Sequence, residues 1–135
     1  MLKKIVIIQA TFHQDEMKVM LEVAQETAKF LGLEVSKVIS VPGSMEIPLA
    51  LSKNIYGSDI VGGVVLGIIE RGETKHGLVM GQAVIASIID MQLKAGKPIG
   101  VGILGPEIFP SQIQPRLIPY AKAAVEAVHK MLSLG

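Results

Sequence analysis

The sequence has no cysteine. Disulfides, thiolate metal sites and a cysteine nucleophile are therefore excluded. The absence fits a reducing compartment. No small-residue cleavage site follows the N-terminal MLKKIVIIQA, so no secretory leader is read there, and a cytoplasmic location is expected. Tryptophan is also absent and aromatics make up 4% of the chain, which argues against a base-stacking platform for single-stranded nucleic acid. Neither sign of charge dominates: 13 Lys and Arg stand against 12 Asp and Glu, a formal net charge of +1. No strong field draws in nucleic acid or an anionic membrane. The apolar stretches are broken by glycine and end in charges, so none reads as a membrane span. No linker, low-complexity tract or fixed-period repeat is present. Neither GxGxxG nor a Walker A loop occurs, and no His/Asp/Glu set has metal-ligand spacing.

What remains is an apolar chain of 135 residues, 50% hydrophobic. That length suits one ordinary core and one domain, 1–135. The β-branched run at 3–9 has the pattern of a strand buried on both faces. Apolar residues at helical spacing follow at 15–31, and Gly32 stops that helix. A strand at 34–40 leads into Val41-Pro42-Gly43, and a short helix is expected at 45–53 with Ser44 as its N-cap. An apolar strand at 60–69, a helix at 75–95 closed by Gly96 and Pro98, a strand at 98–104 and a helix at 116–133 complete the chain. Strands alternating with helices predict an α/β fold. The expected form is a three-layer α/β/α sandwich around a four-stranded, mostly parallel, flavodoxin-like sheet. Ligands of such sheets bind beyond the carboxyl ends of the strands. The segments to inspect are 10–14, 41–46, 69–76 and 104–112.

One predicted helix does not suit a lone surface position. Between His76 and Leu93 the only formally charged residue is Asp90. A helix that is apolar all round must be buried all round, so its outer face is expected to meet another subunit. A solitary apolar patch is the alternative.

The densest polar cluster after an apolar strand is Glu70-Arg71-Gly72-Glu73-Thr74-Lys75-His76. It opens a helix, with Thr74 as a plausible N-cap. Helix N-termini bind anions, and Gly72 would let a phosphate approach the backbone. His76 would stand within a turn of that anion, able to move a proton near neutral pH. The same cluster also reads as a polar strand-to-helix loop with a surface histidine. Ser44 and Glu46 place a hydroxyl and a carboxylate near a strand end, suited to a polyol or to capping the short helix. Phe12 could stack on a planar heterocycle or pack on its own loop. Arg116 could clamp a phosphate or stay solvated.

Four landmarks occur in order: Ala10-Thr11-Phe12, Val41-Pro42-Gly43-Ser44-Met45-Glu46-Ile47-Pro48, Arg71-Gly72-Glu73-Thr74-Lys75-His76, and Arg116 with Lys122. Together they resemble the lumazine synthase family of riboflavin biosynthesis, over nearly the whole chain. The Gly-Glu-Thr-x-His form and the tail from Tyr120 to Ala127 look most like archaeal members. The resemblance implies condensation of 5-amino-6-ribitylamino-2,4-pyrimidinedione with 3,4-dihydroxy-2-butanone 4-phosphate, with no metal or organic cofactor. It implies that Phe12 stacks on the pyrimidine and that Ser44 and Glu46 hold the ribityl chain. Met45, Ile68, Ile69, Glu70 and Val101 would wall the ligand, Val101 from the next subunit. The backbone at Glu73 and Thr74, with Arg116, would bind phosphate, His76 would transfer protons, and Lys122 would stand near the site. In the family the equivalents of Arg116 and Lys122 come from the neighbouring subunit of a pentamer, and some members close into icosahedral shells.

The sequence departs from this pattern at three places. His13 stands where Asn is frequent, Glu70 at a usually apolar position, and Val101 where bacterial members often carry an aromatic. A pentameric archaeal riboflavin synthase, a flavin- or lumazine-binding protein without turnover, and a shell protein are the alternative readings of the scaffold. The intact 72–76 motif weighs against the first, because that motif serves the phosphate substrate.

Overall fold

The N-terminal β-branched run forms β1 (Lys3–Ala10) in the computed structural model, which describes residues 2–134. Ile5, Val6, Ile7 and Ile8 are all buried, as the continuous apolar run requires. The chain continues through α1 (Gln14–Phe30), β2 (Leu33–Val41), a single 3₁₀ turn (Ser44–Glu46) and α2 (Ile47–Ser52). It then forms β3 (Ile60–Glu70), α3 (His76–Ala95), β4 (Ile99–Ile108) and α4 (Pro110–Leu132). Gly32 and Gly96 take the left-handed conformation just after α1 and α3, with φ of 76° and 65°. Each donates its N–H back into the last turn, to Lys29 and Gln92 respectively.

All strand pairings are parallel, in the order β2-β1-β3-β4. The alternation along each strand sends side chains to two separate cores. Ile5, Ile7, Val64, Leu66 and Leu104 meet α1 and α4 on one face. Val6, Ile8, Val65, Ile99 and Ile103 meet α2 and α3 on the other. This is the expected three-layer α/β/α arrangement. The chain builds from β1 to β2, then crosses to place β3 on the opposite side of β1. The crevice between β1 and β3 at their carboxyl ends is thus the switch point of the sheet, where ligands of such folds bind.

The C-terminal third corrects the sequence reading. The segment 105–115, expected as a proline-bearing loop before a helix at 116, is divided between two regular elements. β4 runs on to Ile108 across a register shift, so that Glu70 pairs with Ile108. α4 begins at Pro110, and Pro115 and Pro119 lie inside it. Pro110 sits in the first turn, where its missing N–H has no partner to lose. Gln112 Oε1 accepts the Phe109 N–H at 2.9 Å and secures that end. The inner prolines remove ladder bonds, yet the helix continues. Its stripe of Ile113, Leu117, Ala121, Ala124, Val125 and Val128 is buried against the sheet and α1. Packing outweighs local propensity here.

A second feature follows from glycines on β4. A Cβ on Gly100 would lie 2.0 Å from the Ala124 carbonyl oxygen, so α4 packs directly on the bare strand backbone.

The apolar helix α3 turns only Gly81, Val84 and Ile88 fully into the core. Val79, Ile89 and Leu93 are 61%, 46% and 74% exposed, so an aliphatic face remains open. Its acidic residue, Asp90, pairs with Lys94 one turn on at 2.9 Å, and that hydrogen bond holds the lysine above its ordinary pKa. By length and composition α3 is apolar enough to cross a bilayer, contrary to the expectation from sequence that no stretch would qualify. In the fold it is a packed layer of the sandwich.

Candidate active site

The carboxyl ends of β1 and β3, the turn after β2 and the start of α3 surround a cavity of about 440 Å³. Phe12 follows β1 and leaves 68% of its surface exposed at the mouth; Met45, from the 3₁₀ turn, is 58% exposed. Two large apolar side chains left open beside one cavity suit a flat apolar ligand. Ile68 and Ile69 end the buried part of β3 and line the cavity floor with Gly43. Glu70, Arg71, Gly72 and Thr74 carry the wall round to His76, Gly77 and Met80 of α3.

Ser44 does not cap the short helix as expected. Its side chain is buried and its hydroxyl has no hydrogen-bond partner among the described residues. It fits because Gly67 below it lacks a side chain; a Cβ there would come within 3.0 Å of the hydroxyl oxygen. An unsatisfied buried hydroxyl costs about 1–3 kcal/mol, which a bound polar ligand could offset. Glu46 makes the capping contact instead, its Oε1 accepting the Gly43 N–H at 2.9 Å. The carboxylate itself stays exposed at the cavity edge.

At the start of α3 the Thr74 hydroxyl accepts the His76 N–H at 3.3 Å. The N-cap position falls to Lys75 rather than to Thr74 as read from the sequence, and no side chain caps the helix; Thr74 contributes only this turn contact. Nothing lies within 4 Å of where a Gly72 Cβ would stand, so the backbone here is open to a ligand. The exposed His76 ring stands one turn away on the same cavity wall. A helix N-terminus supplies N–H groups and a positive dipole end to an anion. Glu73 lies between two lining residues but is not itself on the wall.

Arg71 is held away from simple solvation. Its N–H donates to the Ile108 carbonyl at 2.8 Å, its Nε lies 3.5 Å from Glu107 Oε2, and its guanidinium rests 5.1 Å from the Phe109 ring centre. The strand-end loop after β3 is thus tied to the end of β4. Sequence reading placed Arg71 in a motif but gave it no such role. It also left Gly43, Gly77 and Met80 unassigned, and no periodicity marks them. His13, for which the sequence offered no partner, faces Glu70 across the switch point, with Nε2 and Oε1 3.7 Å apart.

Three further sequence candidates, besides Glu73, fall outside this cavity. Arg116 lies partway along α4, donates from Nη1 to the Gln112 carbonyl at 3.0 Å, and borders a separate concavity with Pro106 and Tyr120. Lys122 is exposed further along α4. Val101 is on the edge strand β4, 37% exposed. One chain therefore brings Phe12, Ser44, Met45, Glu46, Ile68, Ile69, Glu70, Thr74 and His76 together, and does not line the cavity with Glu73, Arg116, Lys122 or Val101.

The fold and cavity are those of an α/β protein with a concave site at the switch point of a parallel sheet, lined by a histidine at a helix N-terminus. Residues 3–135 match the family of 6,7-dimethyl-8-ribityllumazine synthase. The chain belongs to that family, whose members are transferases of riboflavin biosynthesis. Among its relatives, 6,7-dimethyl-8-ribityllumazine synthase of Staphylothermus marinus is 38% identical over 130 residues, 96% of this chain and 87% of that one. The Picrophilus torridus protein of the same name is 40% identical over 131 residues, 97% and 96% of the two chains. That of Methanococcus maripaludis is 39% identical over 129 residues, 96% and 93%.

Proposed function

We propose that this chain, as one domain, joins 5-amino-6-ribitylamino-2,4-pyrimidinedione to 3,4-dihydroxy-2-butanone 4-phosphate, giving 6,7-dimethyl-8-ribityllumazine, phosphate and water in the cytoplasm. The observation that carries the reading is the cavity wall from Gly72 to His76, which unites an open backbone, a helix N-terminus and a histidine beside exposed Phe12. Phe12 covers the pyrimidine plane. The ribityl hydroxyls meet Glu46 and the partnerless Ser44 hydroxyl, which reaches them by rotating about its side-chain bond. The phosphate lies over the N–H groups near Glu73 and Thr74.

In this reading the 5-amino group attacks the ketone and water leaves as an imine forms. Proton removal from the adjacent carbon then expels phosphate, and the ribitylamino nitrogen closes the ring with loss of water. His76 moves the protons. Fixed N–H groups stabilise the departing phosphate. Holding both substrates together removes much of the entropic cost of their encounter. The test is an assay of purified protein with both substrates, following lumazine absorbance and free phosphate together. Both rising above the uncatalysed background supports the synthase. Bound lumazine or flavin without turnover would replace it with a binding protein.

Arg116 and Lys122 act in the cavity of an adjacent copy, as the next subunit of a homopentamer or a larger shell. Support comes from the open Val79, Ile89 and Leu93 face of α3 and the half-exposed Val101 on an unpaired edge strand. Val79→Asp would place a carboxylate in that apolar contact, where an unpaired buried charge is strongly unfavourable. It is expected to yield monomers in sedimentation velocity and to abolish phosphate release. Monomers that turn over at the wild-type rate would remove both the contact and the shared site.

A further inference from the structure

Two residues far apart in sequence, His13 and Glu70, meet beside the cavity. His13 follows Phe12, and its backbone is left-handed at φ 67°, an uncommon conformation in which histidine is one of the more frequent non-glycine residues. Its Nε2 is shielded from solvent and has no hydrogen-bond partner among the described residues. The nearest acidic group is Glu70 Oε1 at 3.7 Å, an ion-pair distance beyond hydrogen-bond length. On its other side the imidazole meets Phe12 edge to face, with ring centres 4.8 Å apart and planes at 79°. Glu70 is the last residue of β3 and lines the cavity itself. Phe12, so exposed, has few other contacts to fix its ring. A rigid sheet end, a carboxylate, an imidazole and the exposed ring are thus in series.

We propose that Glu70 and His13 form a strut that sets the angle of the Phe12 ring, which makes both of them positioning residues for the planar substrate. This rests on the reading of Phe12 as the stacking surface for the pyrimidine. Edge-to-face contact steers a ring through the positive edge and negative face of the π systems. The carboxylate across the crevice holds the imidazole in the rotamer that presents its edge. The strut acts on the heterocycle and leaves the phosphate end untouched, because the phosphate end is built on 72–76.

The test uses His13→Asn, Glu70→Gln and the double variant in the full assembly. Asparagine tolerates the left-handed conformation, so the turn survives while the ring is lost. Each single variant is expected to raise KM for the aminopyrimidine about three- to tenfold. KM for the butanone phosphate should stay within about twofold, so that the loss falls on the aminopyrimidine. The double variant should resemble the worse single one, since both break the same series. Single effects that simply multiply, or a rise in both KM values together, would overturn the strut. Unaltered KM for the pyrimidine in an active enzyme would do the same. A wild-type protein that shows no turnover would instead overturn the function on which the strut rests. His13→Ala, measured alongside, separates the two parts: loss of assembly with alanine but not asparagine is loss of the turn, and a normal pyrimidine KM with either overturns the proposal.

Discussion

His76→Ala is expected to lower kcat by about 10²–10⁴-fold, the usual contribution of a positioned general acid–base group. The ring stands at the first turn of α3, exposed on the wall of the cavity and outside both hydrophobic cores. Its removal leaves no void in either core and breaks no core contact. The Thr74 hydroxyl bond is made by the His76 backbone N–H, which alanine keeps. Stability and assembly should therefore hold while turnover collapses. Steady-state kinetics with sedimentation on the same preparation checks both halves. The pyrimidine KM should change little, because Phe12 and the polyol contacts are intact. Undiminished kcat would take proton transfer away from His76 and leave the exposed carboxylates of Glu46 and Glu73 to be tested.

Gly100→Ala is expected to be strongly destabilising for a single-methyl change. The new carbon would be placed 2.0 Å from the Ala124 carbonyl oxygen and 2.7 Å from its carbonyl carbon, both backbone atoms of α4. No flexible side chain stands there to move aside. The helix must shift away from β4, along with its buried stripe of Leu117, Ala121 and Val125. Overpacking of a filled core costs about 1–3 kcal/mol, and backbone against backbone belongs at the upper end. For a chain of this size that is a fall in Tm of several degrees, read by calorimetry. Because α4 also carries Arg116, the phosphate-substrate KM should rise in whatever folds. An unchanged Tm would mean that α4 packs less tightly on Gly100 than the geometry requires.

Much of this architecture is legible in the sequence for a simple reason. Continuous β-branched runs such as 3–9 and 60–69 satisfy only strands covered on both faces, and helices between them make the sheet parallel. Gly32 and Gly96 mark helix ends because few other residues adopt the conformation found there. The C-terminal third was harder to read. Three prolines at 106, 110 and 115 signal a loop by local rules, and those rules are overridden by tertiary packing of an apolar stripe whose spacing begins only at Ile113. The site divides in the same way. Phe12, Glu46 and the 70–76 segment announce themselves by charge or aromaticity at strand ends. Ser44 and Glu46 both suit the cap of the short helix by residue type, and only burial decides that Glu46 makes it. The facing of His13 and Glu70 has no local signature at all. It depends on β1 and β3 being adjacent, a fact of strand order.

The two cores differ from the cavity in what they demand of the residues within them. Among the described residues Ser44 is the only polar side chain that is buried; every other buried side chain is aliphatic or methionine. Such interiors answer to volume and periodicity, and volume-conserving exchanges within them cost about 1.5 kcal/mol or less. Isoleucine, valine, leucine and methionine can therefore replace one another through descent without loss of the fold. The cavity has no such latitude, because its groups are fixed by charge, hydroxyl and ring.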